Sequence, residues 1–253
     1  MKLKILFMLI AIILSSQNTM AIEANKTDRK IVVDGITDEA WSKSTWYPID
    51  KLILGTLSNE NDFSGRFKLL WDENYLYLTA EITDDILFDQ HADPLKFYWD
   101  DDCFEVFIDE DKSGGNHQFN YNAFAYHVAI DNQVVDIGEN NKDGSTNFVL
   151  LNDHISSVWK RSNLTPHAVI WELAIKIFDD KFDDTKIDNS ASRVRLTKGK
   201  TLGFMLAYCD NDGSLEREAF IGSTEITPIN GDKNLGYITA DVFEELILID
   251  NNE

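Results

Sequence analysis

Residues 99–109 read WDDDCFEVFID, and this stretch decides the fold. In an extended backbone Phe104, Val106 and Ile108 share one face, while Cys103, Glu105 and Phe107 share the other. Both faces carry apolar groups, so the segment reads as an internal strand covered on each side. Working outward, residues 67–71 and 75–82 are apolar runs joined by Asp72-Glu73-Asn74, which is a hairpin signal. Residues 30–34, 118–130, 169–177, 201–209 and 236–241 supply further strand patterns, and 242–249 reads as a last strand or a tail. Residues 131–147 are dense in Asn, Asp and Gly and read as loop. Eight or more strands with little helix predict an all-β protein, a two-sheet β-sandwich. With no repeat and no Pro- or Gly-rich linker, one domain over residues 22–253 is expected.

Composition agrees with a folded chain. Of 253 residues, 15 are Phe, 8 Tyr and 6 Trp, more apolar area than a disordered chain carries. The formal net charge is −21, which argues against nucleic acid and anionic membrane surfaces, since both are polyanions. Neutral or cationic ligands and divalent metals suit it better.

Residues 1–21 read as a secretory signal. Lys2 and Lys4 precede an unbroken apolar run over 5–14, and a small-residue cleavage site follows, after Ala21 in preference to Ala24. The run is too short for a membrane anchor, so a periplasmic or secreted protein is expected. The chain has two cysteines, Cys103 and Cys209, too few for a disulfide scaffold. No CxxC, HExxH, GxSxG or P-loop pattern occurs, which leaves thioredoxin, zincin, hydrolase-elbow and nucleotide chemistry without support.

Five strings, in order, resemble the family 9 carbohydrate-binding modules. They are IVVDGITDEAW (31–41), LLWDENYLYLTAEITDD (69–85), WDDDCFEVFID (99–109), WELAIKI (171–177) and LGFMLAYCDNDG (202–213), with NLGYI (234–238) closing the set. The resemblance implies a jelly-roll-like β-sandwich that binds sugars or polysaccharide chain ends, holds structural calcium and works beside glycoside hydrolases. It implies sugar contact at Trp99 and Glu105, with Asn120 aligned to a sugar-contacting Arg. A Trp face stacks on the C–H face of a pyranose, and a carboxylate accepts from its hydroxyls. The family's second clamping Trp is missing, because residues 223–234 hold no aromatic. Tyr98, Trp159 and Phe220 are candidate replacements. Trp41, Trp71 and Trp171 sit in core patterns instead.

Glu105 within an apolar strand needs a partner, because an unpaired buried carboxylate is costly. A cation, a hydrogen-bond donor, a ligand, or a salt bridge to an Arg such as Arg66 or Arg217 supplies one. Asp84, Asp85, Asp100, Asp101, Asp102, Asp210 and Asp212 are calcium candidates, since calcium takes many oxygen ligands. The resemblance places Asp84 and Asp102 near the family's calcium region. Cys103 shares parity with Glu105, and Cys209 with Ala207, which the resemblance aligns with a ligand-facing position. Both thiols are thereby expected on one sheet face, which predicts a disulfide in an exported chain.

The expected function is an exported, non-catalytic carbohydrate-binding protein with a neutral sugar as ligand and a possible glycoside hydrolase partner in trans. A glycoside hydrolase would need two carboxylates facing one cleft, and Asp102 and Glu105, three residues apart, point to opposite faces. A haem-binding module would need an interior axial ligand such as His127 or Met205.

Overall fold

The computed structural model describes residues 21–37, 39–56, 59–162 and 167–251. The expected signal sequence lies almost wholly outside them. Fourteen strands occur among these residues. They are β1 (Ile22–Lys26), β2 (Tyr47–Ile49), β3 (Lys51–Gly55), β4 (Phe63–Trp71), β5 (Leu76–Asp84), β6 (Cys103–Asp109) and β7 (Phe124–Ala129). Then come β8 (Val134–Ile137), β9 (Phe148–Leu150), β10 (Ile155–Arg161), β11 (Ala168–Ile175), β12 (Thr201–Asp210), β13 (Ala219–Gly222) and β14 (Glu244–Ile249). Among the described residues helical structure is limited to short 3-10 turns such as Glu39–Lys43 and Tyr98–Asp100. No helix of the described residues is long and apolar enough to cross a membrane.

The strand order is β10-β11-β5-β4-β1-β14-β12-β6-β7-β8-β9, with β13 on β12 and β3, and β2 on β4. β1 runs parallel to both β4 and β14 and so joins the two halves edge to edge. The halves face each other across one core. Phe104 of β6 lies 5.7 Å from Trp171 of β11, Phe63 of β4 lies 5.2 Å from Tyr208 of β12, and Phe67 lies 5.9 Å from Phe204. Those contacts make the fold an all-β sandwich. The inward face of β6 is Phe104, Val106 and Ile108, as the alternation predicts. Its outward face is covered too, because Cys103 and Phe107 join Met205, Ala207, Cys209 and Phe220 in a second apolar cluster. Trp41, Trp71 and Trp171 are buried core residues.

Three segments differ from their sequence patterns. Residues 30–34 form no strand, because the Asp34 and Gly35 amides bond the Glu172 carboxylate and no neighbouring strand. Residues 236–241 turn instead of extending, with the Ile238 and Thr239 amides both returning to the Leu235 carbonyl. Residues 118–123 also turn, so the strand expected from 118 begins at Phe124. Conversely, the polar stretch 131–147 contains β8, whose Val134 and Val135 are buried.

Candidate functional site

The outward face of β6 floors a pocket of about 290 Å³. Register puts Glu105 opposite His127 of β7 on one side and Ala207 of β12 on the other. Glu105 is 8% exposed and its partners are all at hand. His127 Nδ1 lies 3.3 Å from its Oε1, Arg217 Nη1 lies 3.5 Å away, and the Cys209 thiol donates to the same oxygen at 3.4 Å. Burial alone would raise the Glu105 carboxyl; the His127 hydrogen bond and the His127 and Arg217 charges outweigh it and hold it below its ordinary range. Of the two arginines proposed for this acid, Arg217 is the partner, while Arg66 pairs with Glu81. Arg217 in turn lies 4.3 Å from the Phe220 ring centroid, which places Phe220 beneath the site. Asp136 of β8 also lines the pocket, accepting from the Ala125 and Ile137 amides, and burial pushes its carboxyl up to about 7.

An aromatic group forms one part of the wall. Trp99 sits edge-on to Tyr98 at 5.1 Å and lies 6.0 Å from Phe148, and Tyr98 stands edge-on to His127 at 4.5 Å. Phe97 precedes this turn with φ 51°, a left-handed conformation costly for an aromatic residue, and it fixes where Trp99 points. Gln118, Phe119, Asn234 and Tyr237 add amide and aromatic groups to the lining. Gly236 lets that last segment approach, since a Cβ there would stand 2.6 Å from Met205 Cε.

The three aspartates after Trp99 are buried, against the exposure that a polar run suggests. Each accepts backbone amides. Asp100 takes that of Arg217, Asp101 those of Gln90 and His91, and Asp102 those of Phe88 and Asn211. The run organises the loop that carries Trp99. Asp102 also belongs to a second constellation, where the ends of β5 and β12 meet the start of β6. Carboxylate oxygens of Asp84, Asp102 and Asp210 lie within 4.8 Å of one another, all three buried. Asp84 Oδ2 accepts from the Tyr208 hydroxyl at 2.5 Å, whereas its Oδ1 is buried without a hydrogen-bond partner. Burial first, then repulsion within the group, pushes Asp102 up to about 9 and Asp210 up to about 8, while burial raises Asp84 to about 6. Three buried carboxylates with an orphaned oxygen fit a hard, oxygen-seeking cation. Asp62, Asp85 and Asp212 gather nearer the surface.

Two expected site features are corrected. Asn120 is exposed and absent from the pocket lining; its Oδ1 accepts from the Asn122 amide and its Nδ2 donates to the Asn116 carbonyl, so it closes a local turn. The predicted disulfide is not formed. Cys103 and Cys209 are free buried thiols at directly opposed positions of β6 and β12. Each has polar partners in place of a bridge, His127 Nδ1 at 3.8 Å for Cys103, Glu105 and Arg217 for Cys209. Among the candidate second aromatics, Tyr98 lines the pocket. Trp159 does not, because its ring packs on Trp171 and its Nε1 donates to Ile130. Phe119 and Tyr237 fall in segments whose patterns read as strands but which turn, and Phe148 lies in a three-residue strand inside a stretch that borders the polar loop, so no local signal marks any of them as pocket residues. His127 held a readable clue, its parity opposite Glu105. Its Nε2 is committed to the Tyr98 carbonyl at 2.7 Å, and Met205 packs in the outer apolar cluster, so neither is poised as a haem ligand.

The model of the carbohydrate family 9 binding domain-like family matches residues 33–251. Over 90 residues the chain is 33% identical to endo-1,4-beta-xylanase A of Thermotoga maritima, covering 36% of this chain and 8% of that enzyme. Over 102 residues it is 32% identical to endo-1,4-beta-xylanase C of Paenibacillus barcinonensis, 40% of this chain and 9% of that one. The chain thus matches less than a tenth of each xylanase's length. A family 9 carbohydrate-binding module of Caldicellulosiruptor kristjanssonii, solved in complex with glucose, superposes with TM-score 0.64 at 20% identity, covering 92% of this chain and 97% of the module. The cellotriose complex from that organism gives 0.63 at 19% identity, covering 92% and 95%. The chain belongs to the carbohydrate family 9 binding domain-like family.

Proposed function

We propose that this family 9 member is an exported carbohydrate-binding protein that takes a neutral sugar unit in the pocket over β6 and does not cleave it. The observation that carries this reading is the pocket's composition. The aromatic surfaces of Trp99, Tyr98 and Phe148 share one concavity with the Gln118 and Asn234 amides and the Glu105–Arg217 pair. Flat apolar faces beside oriented donors and acceptors match a pyranose, which is apolar on its C–H faces and polar around its rim. The modules of similar fold that hold glucose and cellotriose support the ligand class. Tyr237 and Phe119 supply aromatic surface from segments outside the Trp-less 223–234 stretch.

Calcium is proposed among Asp84, Asp102 and Asp210. Bound there, it would offset most of the charge of three buried acids and pin the loop that presents Trp99. Export by a signal over 1–21 is consistent with β1 starting at Ile22, because a cut after Ala24 would remove the buried Ile22 and Ala24 from that strand. A glycoside hydrolase acting in trans would be the natural partner. A second reading, hydrolysis, draws on Glu105 and Asp136 sharing the pocket with their carboxyl groups shifted in opposite directions. Both carboxylates are already committed, however, to the ion pair and to two backbone amides.

Calorimetric titration of the mature protein with glucose, cellotriose and xylooligosaccharides tests the proposal. Binding of at least one, with no reducing-sugar release, is expected. No binding to any neutral glycan would overturn it.

A further inference from the structure

We infer that Cys103, Cys209, Glu105 and His127 form a tetrahedral binding site for a thiol-seeking divalent metal of the zinc class, beneath the pocket and separate from the aspartate cluster. The two Sγ atoms and a Glu105 oxygen lie within 4.8 Å of one another, all from buried residues. His127 adds a fourth donor, with Nδ1 3.8 Å from Cys103 Sγ and 3.3 Å from Glu105 Oε1. Cys209 Sγ is 3.4 Å from the same Oε1. Zinc–ligand bonds of about 2.0–2.3 Å at tetrahedral angles require edges of roughly 3.4 Å between N and O and roughly 3.6 Å between S and either. These three edges of the six fall close to those values, while His127 lies outside the 4.8 Å grouping of the other three donors and must swing in to complete the tetrahedron.

A second observation points the same way. The Tyr98 carbonyl can only accept, so His127 Nε2 must be the donor of their 2.7 Å bond. His127 Nδ1 therefore aims either a lone pair or a second proton at a carboxylate oxygen. Two lone pairs in that position demand a cation between them, and a metal serves as a proton does. A ligating imidazole whose far N–H donates to a backbone carbonyl is the usual outer arrangement of metal-bound histidine. Charge balances as well. Two thiolates and a carboxylate leave a divalent ion one negative charge in excess, and the Arg217 guanidinium, 3.1 Å from Cys209 Sγ, offsets it. Both thiol protons pass to solvent on binding, together with the Nδ1 proton where the ring carries one.

Cobalt(II) is the probe, added to reduced, chelator-stripped protein whose two thiols have been counted by titration, with calcium saturating the aspartates. One equivalent should bind with a thiolate-to-cobalt charge-transfer band and the intense visible bands of a tetrahedral centre, and one equivalent of zinc should displace it. Cys209→Ser and Cys103→Ser should each lose the full charge-transfer intensity, while Asp84→Asn keeps it. The wild-type spectrum decides even where a variant fails to fold. Absence of the band would overturn the proposal. So would pale octahedral cobalt that survives Cys209→Ser and vanishes in Asp84→Asn, or thiols that stay bridged in reductant.

Discussion

Asp84→Asn should stabilise the protein in chelator and abolish its stabilisation by calcium. The variant keeps an oxygen to accept from the Tyr208 hydroxyl and puts an amide donor where Oδ1 has no partner. It also removes one of three buried acids whose oxygens lie within 4.8 Å. At that separation and an effective dielectric near 20, each ionised pair costs about 3 kcal/mol. In a domain of this size 1 kcal/mol moves the melting temperature by roughly 2–4 °C, so relief of a single pair is worth roughly 6–12 °C at alkaline pH. The sign depends on pH. All three acids are raised in the folded state, to about 6, 9 and 8, so metal-free wild type keeps their contribution at low pH and loses it as pH rises through those values. Differential scanning fluorimetry in EDTA should therefore show the variant gaining on wild type from pH 5 to pH 9. With calcium at a thousandfold its dissociation constant, wild type should gain about 4 kcal/mol and the variant far less. A variant that melts lower in EDTA at pH 9 and still responds fully to calcium would refute the reasoning.

Further predictions concern the pocket and the core. Trp99→Ala should abolish sugar-dependent tryptophan quenching and change the melting temperature by no more than a few degrees, because the ring is half-buried on the wall outside the main core; unchanged affinity by calorimetry would remove Trp99 from the site. Chelation should weaken sugar binding several-fold at constant fold, since Asp102 anchors the loop bearing Trp99 through the Phe88 and Asn211 amides; equal affinity in EDTA and calcium would uncouple the two. Acid should destabilise the protein independently of the pocket. Burial lowers His117 and His154 to about 4, so unfolding takes up protons below about pH 6.5 and stability falls as pH drops toward 4, by about 3 kcal/mol for each ring. The raised aspartates act in the opposite direction over this range. Urea titrations of wild type and of His117→Gln at pH 7 and pH 4.5 therefore measure the histidine contribution as a difference, and a difference that does not change with pH would contradict it.

The fold was legible where both faces of a strand are apolar, and less so elsewhere. β6 appears in the alternation with its bounds intact, and β12 falls one residue short, because central strands satisfy their backbones on neighbouring strands whatever their side chains do. Residues 30–34 carry the same pattern, but Glu172, distant in sequence, takes the Asp34 and Gly35 amides where the segment ends, and no local period reports that. The site divides along the same line. Glu105 is visible as an acid among apolar residues, and its need for a partner follows from burial alone. Which partner cannot be read, because Arg217 arrives from a hairpin over a hundred residues away. Asn120 shows the converse, since its neighbours Gln118 and Phe119 line the pocket while its own side chain closes a local turn with Asn116 and Asn122, which no alignment position reports.

One loop accounts for the dependence between these parts. Residues 85–102 leave β5 at Asp84 and enter β6 just before Cys103, so both ends are tied to the aspartate cluster and the thiol cluster. Between them, the Tyr98 carbonyl fixes His127, and Trp99 faces the pocket from the adjacent position. A cation at either cluster would restrict the same backbone from opposite sides. Freedom removed from this loop beforehand need not be lost again when a ligand docks on Trp99. Occupying the aspartate cluster should then raise sugar affinity without touching the sugar, and the effect should shrink where a cation at the thiol cluster already restrains the loop.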